Sequence, residues 1–260
     1  MQGAGTVTTQ NKIAIITGAN RGLGRSTALK LAEDGVDVIL TYRSNLEEAD
    51  AVVARINGMG RRAVAFQLDT GKAEAFEQFT TDITGALKEH WGRDHFDFLI
   101  NNAGAGILTP FGQTTPDAVD ELMNVHFKGV FFLTQALAPS LADGGRIITL
   151  STGLARFTNG DLSVYAAMKG AIEVLTRYLA KALGSRGITV NAVAPGPVAT
   201  DFGGGFVRDN AQVRDHLGSQ AALGRVGLPE DIAGVVAALL APGTGWITGQ
   251  RIEASGGAFL

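Results

Sequence analysis

Short apolar runs and longer amphipathic stretches alternate along the chain. Lys12–Thr17 (KIAIIT) is brief and β-branched, which predicts a strand. Gly22–Asp34 carries Leu23, Thr27, Leu29, Leu31 and Ala32 in helical register and stops at Gly35, a residue suited to a helix end. The same patterning predicts strands at Val36–Tyr42, Arg62–Leu68, Phe96–Asn101, Arg146–Ser151, Ile188–Val193 and Gln250–Glu253. It predicts helices at Leu46–Asn57, Ala73–His90, Asp117–Leu141, Val164–Leu183 and Pro229–Leu240. In Val164–Leu183 the apolar positions 164, 168, 172, 175, 179 and 183 step by three or four. Strands that are apolar throughout are buried on both faces, as in a parallel sheet between two helix layers. The expectation is therefore a single α/β domain over residues 11–260, a doubly wound parallel sheet of about seven strands. Residues 1–10 are expected to be a disordered lead-in. The Gly/Asp-rich stretch 201–220 breaks the alternation and is expected to be a mobile substrate loop.

Composition narrows the function classes. The hydrophobic share of 45% excludes a wholly disordered chain, and 260 residues bury enough surface to need no staple. There is no cysteine, which excludes a disulfide framework, a thiolate metal site and a cysteine nucleophile. It also fits a reducing compartment, so a cytoplasmic location is expected. Lys and Arg number 22 against 25 Asp and Glu, giving −3, so no basic excess grips a phosphate backbone and no nucleic-acid partner is expected. Residues 1–10 lack the features of a signal peptide. The apolar run Ile232–Ala241 falls short of the roughly 18 residues of a membrane span, so no membrane partner is expected. His90, His95, His126 and His216 show no metal-ligand spacing.

The sharpest local feature is Thr17-Gly18-Ala19-Asn20-Arg21-Gly22-Leu23-Gly24, between the first strand and the first helix. Glycines there permit a tight turn and let backbone N–H groups approach a pyrophosphate at the helix N-terminus. The spacing is Gly-x3-Gly-x-Gly. A dinucleotide fold that takes NAD carries an acid about 20 residues later for the ribose hydroxyls. Here the second strand ends Thr41-Tyr42-Arg43-Ser44, with no acid. Arg43 and Arg21 instead offer two guanidinium groups to a 2′-phosphate, which predicts NADP(H) over NAD(H). The alternative is that both arginines are simply solvated.

From Lys12 to the C-terminus the sequence resembles the short-chain dehydrogenase/reductase family. The resemblance rests on the TGANRGLG loop, on Asn101-Asn102-Ala103-Gly104, on Tyr165-Ala-Ala-Met-Lys169, and on Pro195-Gly196 with Thr200. It implies a Rossmann-type fold with helices on both faces of the sheet. It also implies cofactor contacts from Gly18, Asn20, Arg21, Gly22, Leu23, Gly24, Arg43, Ser44, Asp69 with Thr70, Asn102, Ala103, Gly104, Tyr165, Lys169, Pro195, Gly196, Val198 and Thr200. Asp69 also reads as a plain turn-former in Leu-Asp-Thr-Gly.

Tyr165 and Lys169 stand four apart on one helix face. A phenol is a poor acid or base at neutral pH, and an adjacent ammonium together with a positively charged oxidised nicotinamide is expected to lower its pKa. The family also places a serine hydroxyl thirteen residues before the tyrosine. Here that position is Thr152, with Ser151 beside it, and strand geometry lets only one of the two serve. His126, in Met123-Asn124-Val125-His126-Phe127-Lys128-Gly129, takes the place of a relay asparagine. Its two readings are a water-ordering relay and a buried neutral ring that fills space. The implied catalytic set is Tyr165, Lys169, Thr152 or Ser151, and His126, with no metal. The implied activity is hydride transfer between NADP(H) and a small-molecule ketone or aldehyde, or a secondary alcohol in reverse. Alternatives are a 3-oxoacyl thioester reductase and a non-catalytic NADP-binding sensor. Phe157, Phe202, Phe206, Val207 and Leu217 are candidate pocket walls, and the resemblance implies a homotetramer in which apolar surfaces on the helices and C-terminus pack across two-fold axes.

Overall fold

A computed structural model describes residues 11–158 and 160–260; the lead-in expected at 1–10 lies outside the described residues. The elements run β1 (Ile13–Ile16), α1 (Gly22–Glu33), β2 (Asp37–Tyr42), α2 (Leu46–Gly58), β3 (Ala63–Gln67), α3 (Phe76–Trp91) and β4 (Phe96–Asn101). Then come α4 (Pro116–Met123), α5 (Gly129–Leu137), β5 (Leu141–Leu150), α6 (Ser163–Leu183) and β6 (Thr189–Pro195). Last are α7 (Phe206–Asp209), α8 (Ala211–Ser219), α9 (Pro229–Leu240) and β7 (Arg251–Ala254). The seven strands form one parallel sheet in the order β3-β2-β1-β4-β5-β6-β7.

Strand alternation sorts the core into two layers. Ala14, Ile16, Val38 and Leu40 pack with Leu29 and Leu31 of α1, Val52 and Ile56 of α2, and Ile232 and Val236 of α9. Ile13, Ile15 and Ile39 face the other way, onto Phe79, Ile83 and Leu87 of α3 and Leu133 and Leu137 of α5. Each such fully buried side chain contributes about 1.5–3 kcal/mol relative to exposure. The chain order reverses between β1 and β4, so the loops after those strands diverge and leave a crevice at the carboxyl edge.

Three boundaries differ from the patterning. The predicted helix Asp117–Leu141 is interrupted by a π-helical turn at Asn124–Lys128. Just after the turn Gly129 packs against the Thr70 backbone, where a Cβ would lie 2.2 Å from the carbonyl oxygen. Strand β5 begins at Leu141, which pairs with Phe96 before the register shifts to Phe98↔Arg146 across the glycine turn at Gly144 (φ +74°). The stretch expected as a loop at 201–220 holds helices α7 and α8, the second capped by the Asn210 side chain on the Val213 amide.

Candidate active site

The crevice is built by hydrogen bonds between the loops after β1 and β4. The Thr17 amide donates to the Ile100 carbonyl at 3.0 Å, and the Thr17 hydroxyl accepts from the amides of Asn102 and Ala103. The Asn102 side-chain amide donates back to the carbonyls of Thr17 (2.9 Å) and Gly18 (3.0 Å). The glycines are required by contact as well as by φ. A Cβ on Gly18 (φ +62°) would meet Ala103 Cα at 3.0 Å, and one on Gly24 would meet the Gly18 carbonyl oxygen at 2.4 Å. Helix α1 begins at Arg21–Gly22 without a side-chain cap, so its first-turn N–H groups are left free for an anion. Glycines that keep the loop bare, and a helix start that lacks a cap, suit a dinucleotide pyrophosphate.

The two arginines expected at a 2′-phosphate differ in state. Arg43 is exposed at the end of β2, beside Ser44, and has no acidic partner among the described residues. Arg21 forms an ion pair with Asp201 (3.0 Å) on the loop that follows β6. Asn20 donates to Glu48 at 2.7 Å. Asp69 turns its carboxylate to the Gly71 amide (3.0 Å), beside buried Thr70. Pro195 and Gly196 end β6, and Gly196 packs on Ser255, where a Cβ would approach to 2.7 Å. Val198 bridges to Gly227, and Thr200 accepts from the Phe202 amide. All these segments lie at the carboxyl edge of the sheet. A cleft of about 430 Å³ lined by Asp37, Arg61, Arg62 and Trp91 lies at the opposite edge and takes no part in the site.

Tyr165 and Lys169 project from α6 into the crevice and are 8% and 4% exposed. Burial pushes the Tyr165 phenol up to about 12, against the opposing effect of a hydrogen bond from the Thr152 hydroxyl. In the protein by itself, burial outweighs the lowering expected from an adjacent ammonium. Lys169 Nζ lies over the ring face, 5.7 Å from the centroid, and donates to the Leu150 carbonyl at 2.5 Å. Burial also brings Lys169 down to about 8. Thr152 accepts from the Leu154 amide (3.3 Å) and turns toward Tyr165. Ser151 points away from that pair, donating to Glu173 Oε1 at 2.7 Å. Of the two neighbouring hydroxyls, Thr152 is the one turned to Tyr165, while Ser151 faces Glu173.

His126 lies in the π-helical turn and is fully buried. Its ring meets the Tyr165 ring edge-on at 5.0 Å, and Nε2 sits 2.7 Å from the Ala105 carbonyl oxygen. A carbonyl only accepts, so Nε2 carries the ring proton, and Nδ1 is a buried acceptor without a partner among the described residues. Burial, reinforced by the nearby Lys169 charge, drives the imidazole down to about 3. It is therefore neutral at working pH and does not take up a proton there. Gly104 leaves room for the ring, since a Cβ would lie 2.9 Å from His126 Cε1. Phe202 leans over Tyr165 with centroids 5.5 Å apart.

Two polar residues near the site were not anticipated. Glu173 holds Ser151, and its position four residues after Lys169 on the same helix face would have revealed it. Arg251 reaches the Thr152 carbonyl at 3.3 Å from β7, and no local spacing signals that contact.

A family model described as enoyl-(acyl carrier protein) reductase matches residues 18–258. A tetrahydroxynaphthalene reductase of Pestalotiopsis fici is 35% identical over 261 residues, covering 95% of this chain and 91% of that protein. The crystal structure of an angucycline C-6 ketoreductase with bound NADP superposes with a TM-score of 0.90 at 36% identity, covering 95% of each chain. A short-chain dehydrogenase from Burkholderia cenocepacia J2315 in complex with NADP gives a TM-score of 0.88 at 37% identity, over 96% of this chain and 99% of that one.

Proposed function

The chain belongs to the short-chain dehydrogenase/reductase family, and on that premise we propose that it reduces a ketone with NADPH, with Tyr165 as the proton donor. The observation that carries this reading is the buried Thr152–Tyr165 hydroxyl pair, set beside Lys169 and next to a glycine loop suited to a pyrophosphate. NADPH, when bound, supplies the hydride to the carbonyl carbon. Thr152 and Tyr165 hold the carbonyl oxygen between two hydroxyl groups, so charge that develops there meets donors already in place. Tyr165 then passes its proton to that oxygen, and the product is the secondary alcohol. A phenol held at about 12 is protonated at neutral pH, the form that has a proton to give. Lys169, fixed by the Leu150 carbonyl, faces the cofactor side of the tyrosine and holds the ribose. His126 anchors the Ala105 backbone and backs the Tyr165 ring.

Residues Gly18 to Gly24 and Asn102 to Gly104 hold the cofactor's phosphates and adenosine ribose, Asp69 and Thr70 the adenine edge, and Pro195, Gly196, Val198 and Thr200 the nicotinamide. Arg43 and Ser44 take the 2′-phosphate; Arg21 joins them on leaving Asp201. The names of the relatives point to a fused-ring aromatic ketone, and the exposed faces of Phe202, Phe206 and Leu108 supply an apolar wall for one. The family model's description favours a second reading, an acyl thioester substrate. A test is NADPH consumption across a bicyclic aromatic ketone such as 1-tetralone, a 3-oxoacyl thioester, an enoyl thioester and an aliphatic ketone. Turnover of ketones is expected, and failure with every carbonyl would leave only a dinucleotide-binding role.

The same reading makes the protein a cytoplasmic homotetramer, with 201–220 closing over the substrate. Absence of cysteine supports a reducing compartment. Phe132, Val174 and Tyr178 on α5 and α6, and Trp246 and Leu260 near the C-terminus, are exposed apolar groups that a two-fold contact would cover.

A further inference from the structure

Four charged side chains from α6, β7 and the segment after β5 form a continuous network behind the Thr152 hydroxyl. At its centre Arg251 uses every arm of its guanidinium. Nε donates to Glu173 Oε1 at 2.7 Å, one terminal nitrogen to Glu253 Oε2 at 2.8 Å, and the other to the Thr152 carbonyl at 3.3 Å. Glu173 Oε1 also accepts from the Ser151 hydroxyl at 2.7 Å. Glu253 is shared with Arg156, which forms a fork to both carboxylate oxygens at 2.7 Å. Arg156 further donates to the Ala258 carbonyl at 2.8 Å, and Phe259 packs on Phe157 with ring centroids 4.4 Å apart.

We propose that Arg251 is a positioning residue that selects which of two adjacent hydroxyls faces Tyr165, and that through it the C-terminal segment 251–259 becomes a working part of the active site. The inference rests on the Thr152–Tyr165 reading above. Thr152 is extended where the chain leaves β5, and the Ser151 and Thr152 side chains have different partners, so a half-turn of this strand end exchanges them. Glu173 pins the Ser151 hydroxyl to α6, and Arg251 ties the Thr152 carbonyl to that same Glu173. Glu173 stands one turn after Lys169 and two turns after Tyr165, so Thr152 is held in register with the helix that carries the proton donor. A planar guanidinium satisfies three acceptors at fixed angles, and a lysine ammonium on a flexible stem does not reproduce that geometry.

The test is a double-mutant cycle of Arg251→Leu with Thr152→Ala, reading kcat for NADPH-dependent reduction of 1-tetralone, NADPH affinity by fluorescence, and melting temperature. Arg251→Lys, which keeps a charge beside Glu173 and Glu253, replaces Arg251→Leu if the latter does not fold. The expected result is a loss of roughly ten-fold in kcat for the Arg251 variant with NADPH affinity unchanged. In the Thr152→Ala background the Arg251 substitution causes no further loss, since the hydroxyl that Arg251 aims is already gone, and any change there is a regain of kcat as Ser151 turns to Tyr165. A wild-type kcat in the single Arg251 variant, or an undiminished further loss in the Thr152→Ala background, overturns the proposal while leaving the Thr152 assignment standing. Full activity of Thr152→Ala alone overturns that assignment and the proposal with it.

Discussion

His126 makes the stability of this protein fall in weak acid. Its folded-state pKa is about 3, against an ordinary histidine value of 6.5. Between those values the unfolded chain binds a proton that the folded chain refuses, so stability is lost as pH falls through that window. The gap of roughly 3.5 units converts, at about 1.4 kcal/mol per unit, to about 5 kcal/mol as an upper bound on the accumulated loss. Lys169 and Tyr165 are the titratable groups that face the ring. Lys169, at about 8, is already charged throughout this window, and Tyr165, at about 12, is already neutral, so neither titrates with it. The assay is urea unfolding of the wild type and of His126→Asn at several pH values from 7 down to the lowest at which both fold. The wild type is expected to lose close to 1.4 kcal/mol more per pH unit than the variant below pH 6.5. Parallel pH dependence in the two proteins would refute the reasoning, because it would mean that the imidazole protonates in place.

Other outcomes are equally definite. Arg43→Ala is expected to raise KM for NADPH about ten-fold or more and leave NADH kinetics unaffected, which steady-state rates with both cofactors check. Gly24→Ala forces a Cβ to 2.4 Å from the Gly18 carbonyl oxygen, so it should abolish NADPH binding or folding, as calorimetry and melting will show. Comparing His126→Asn with His126→Leu separates the two roles of that ring. If it only packs and anchors Ala105, both variants keep kcat in proportion to their remaining stability. If it orders water, only the asparagine variant stays active. Light scattering at micromolar concentration is expected to give four chain masses, and a monomer mass would remove the two-fold contacts from the account.

The architecture was legible because each buried strand is apolar on both faces and each helix keeps a 3.6-residue pattern, so Ile13–Ile16 and Ser163–Leu183 stand close to their predicted ends. The break in the long helix was not legible. Asn124–Lys128 reads as ordinary helix, and the contact beside it, Gly129 on the Thr70 backbone, joins residues 59 positions apart in sequence. Helices α7 and α8 escaped notice because they are polar and weakly amphipathic, with Gly203, Gly204 and Gly205 just before them. Tyr165 and Lys169 share a helix, so their proximity followed from spacing alone. The choice between Ser151 and Thr152 did not, because it depends on which face of β5 meets α6. The upward shift of Tyr165 was hidden for a similar reason. Spacing shows that an ammonium is near, but only the fold shows how deeply the phenol is buried.

The central claim is that Tyr165 gives its proton to a ketone reduced by NADPH, and the most direct measurement is single-turnover reduction of 1-tetralone by wild type and Tyr165→Phe, each saturated with NADPH labelled with deuterium at the transferred position. The account predicts deuterium on the alcohol carbon in the wild type. It predicts a turnover rate about 10²–10⁴-fold lower in Tyr165→Phe, with NADPH still bound, because the ring still packs and only the proton donor is gone. Deuterium-free alcohol, or a Tyr165→Phe rate within a few-fold of wild type, would contradict it.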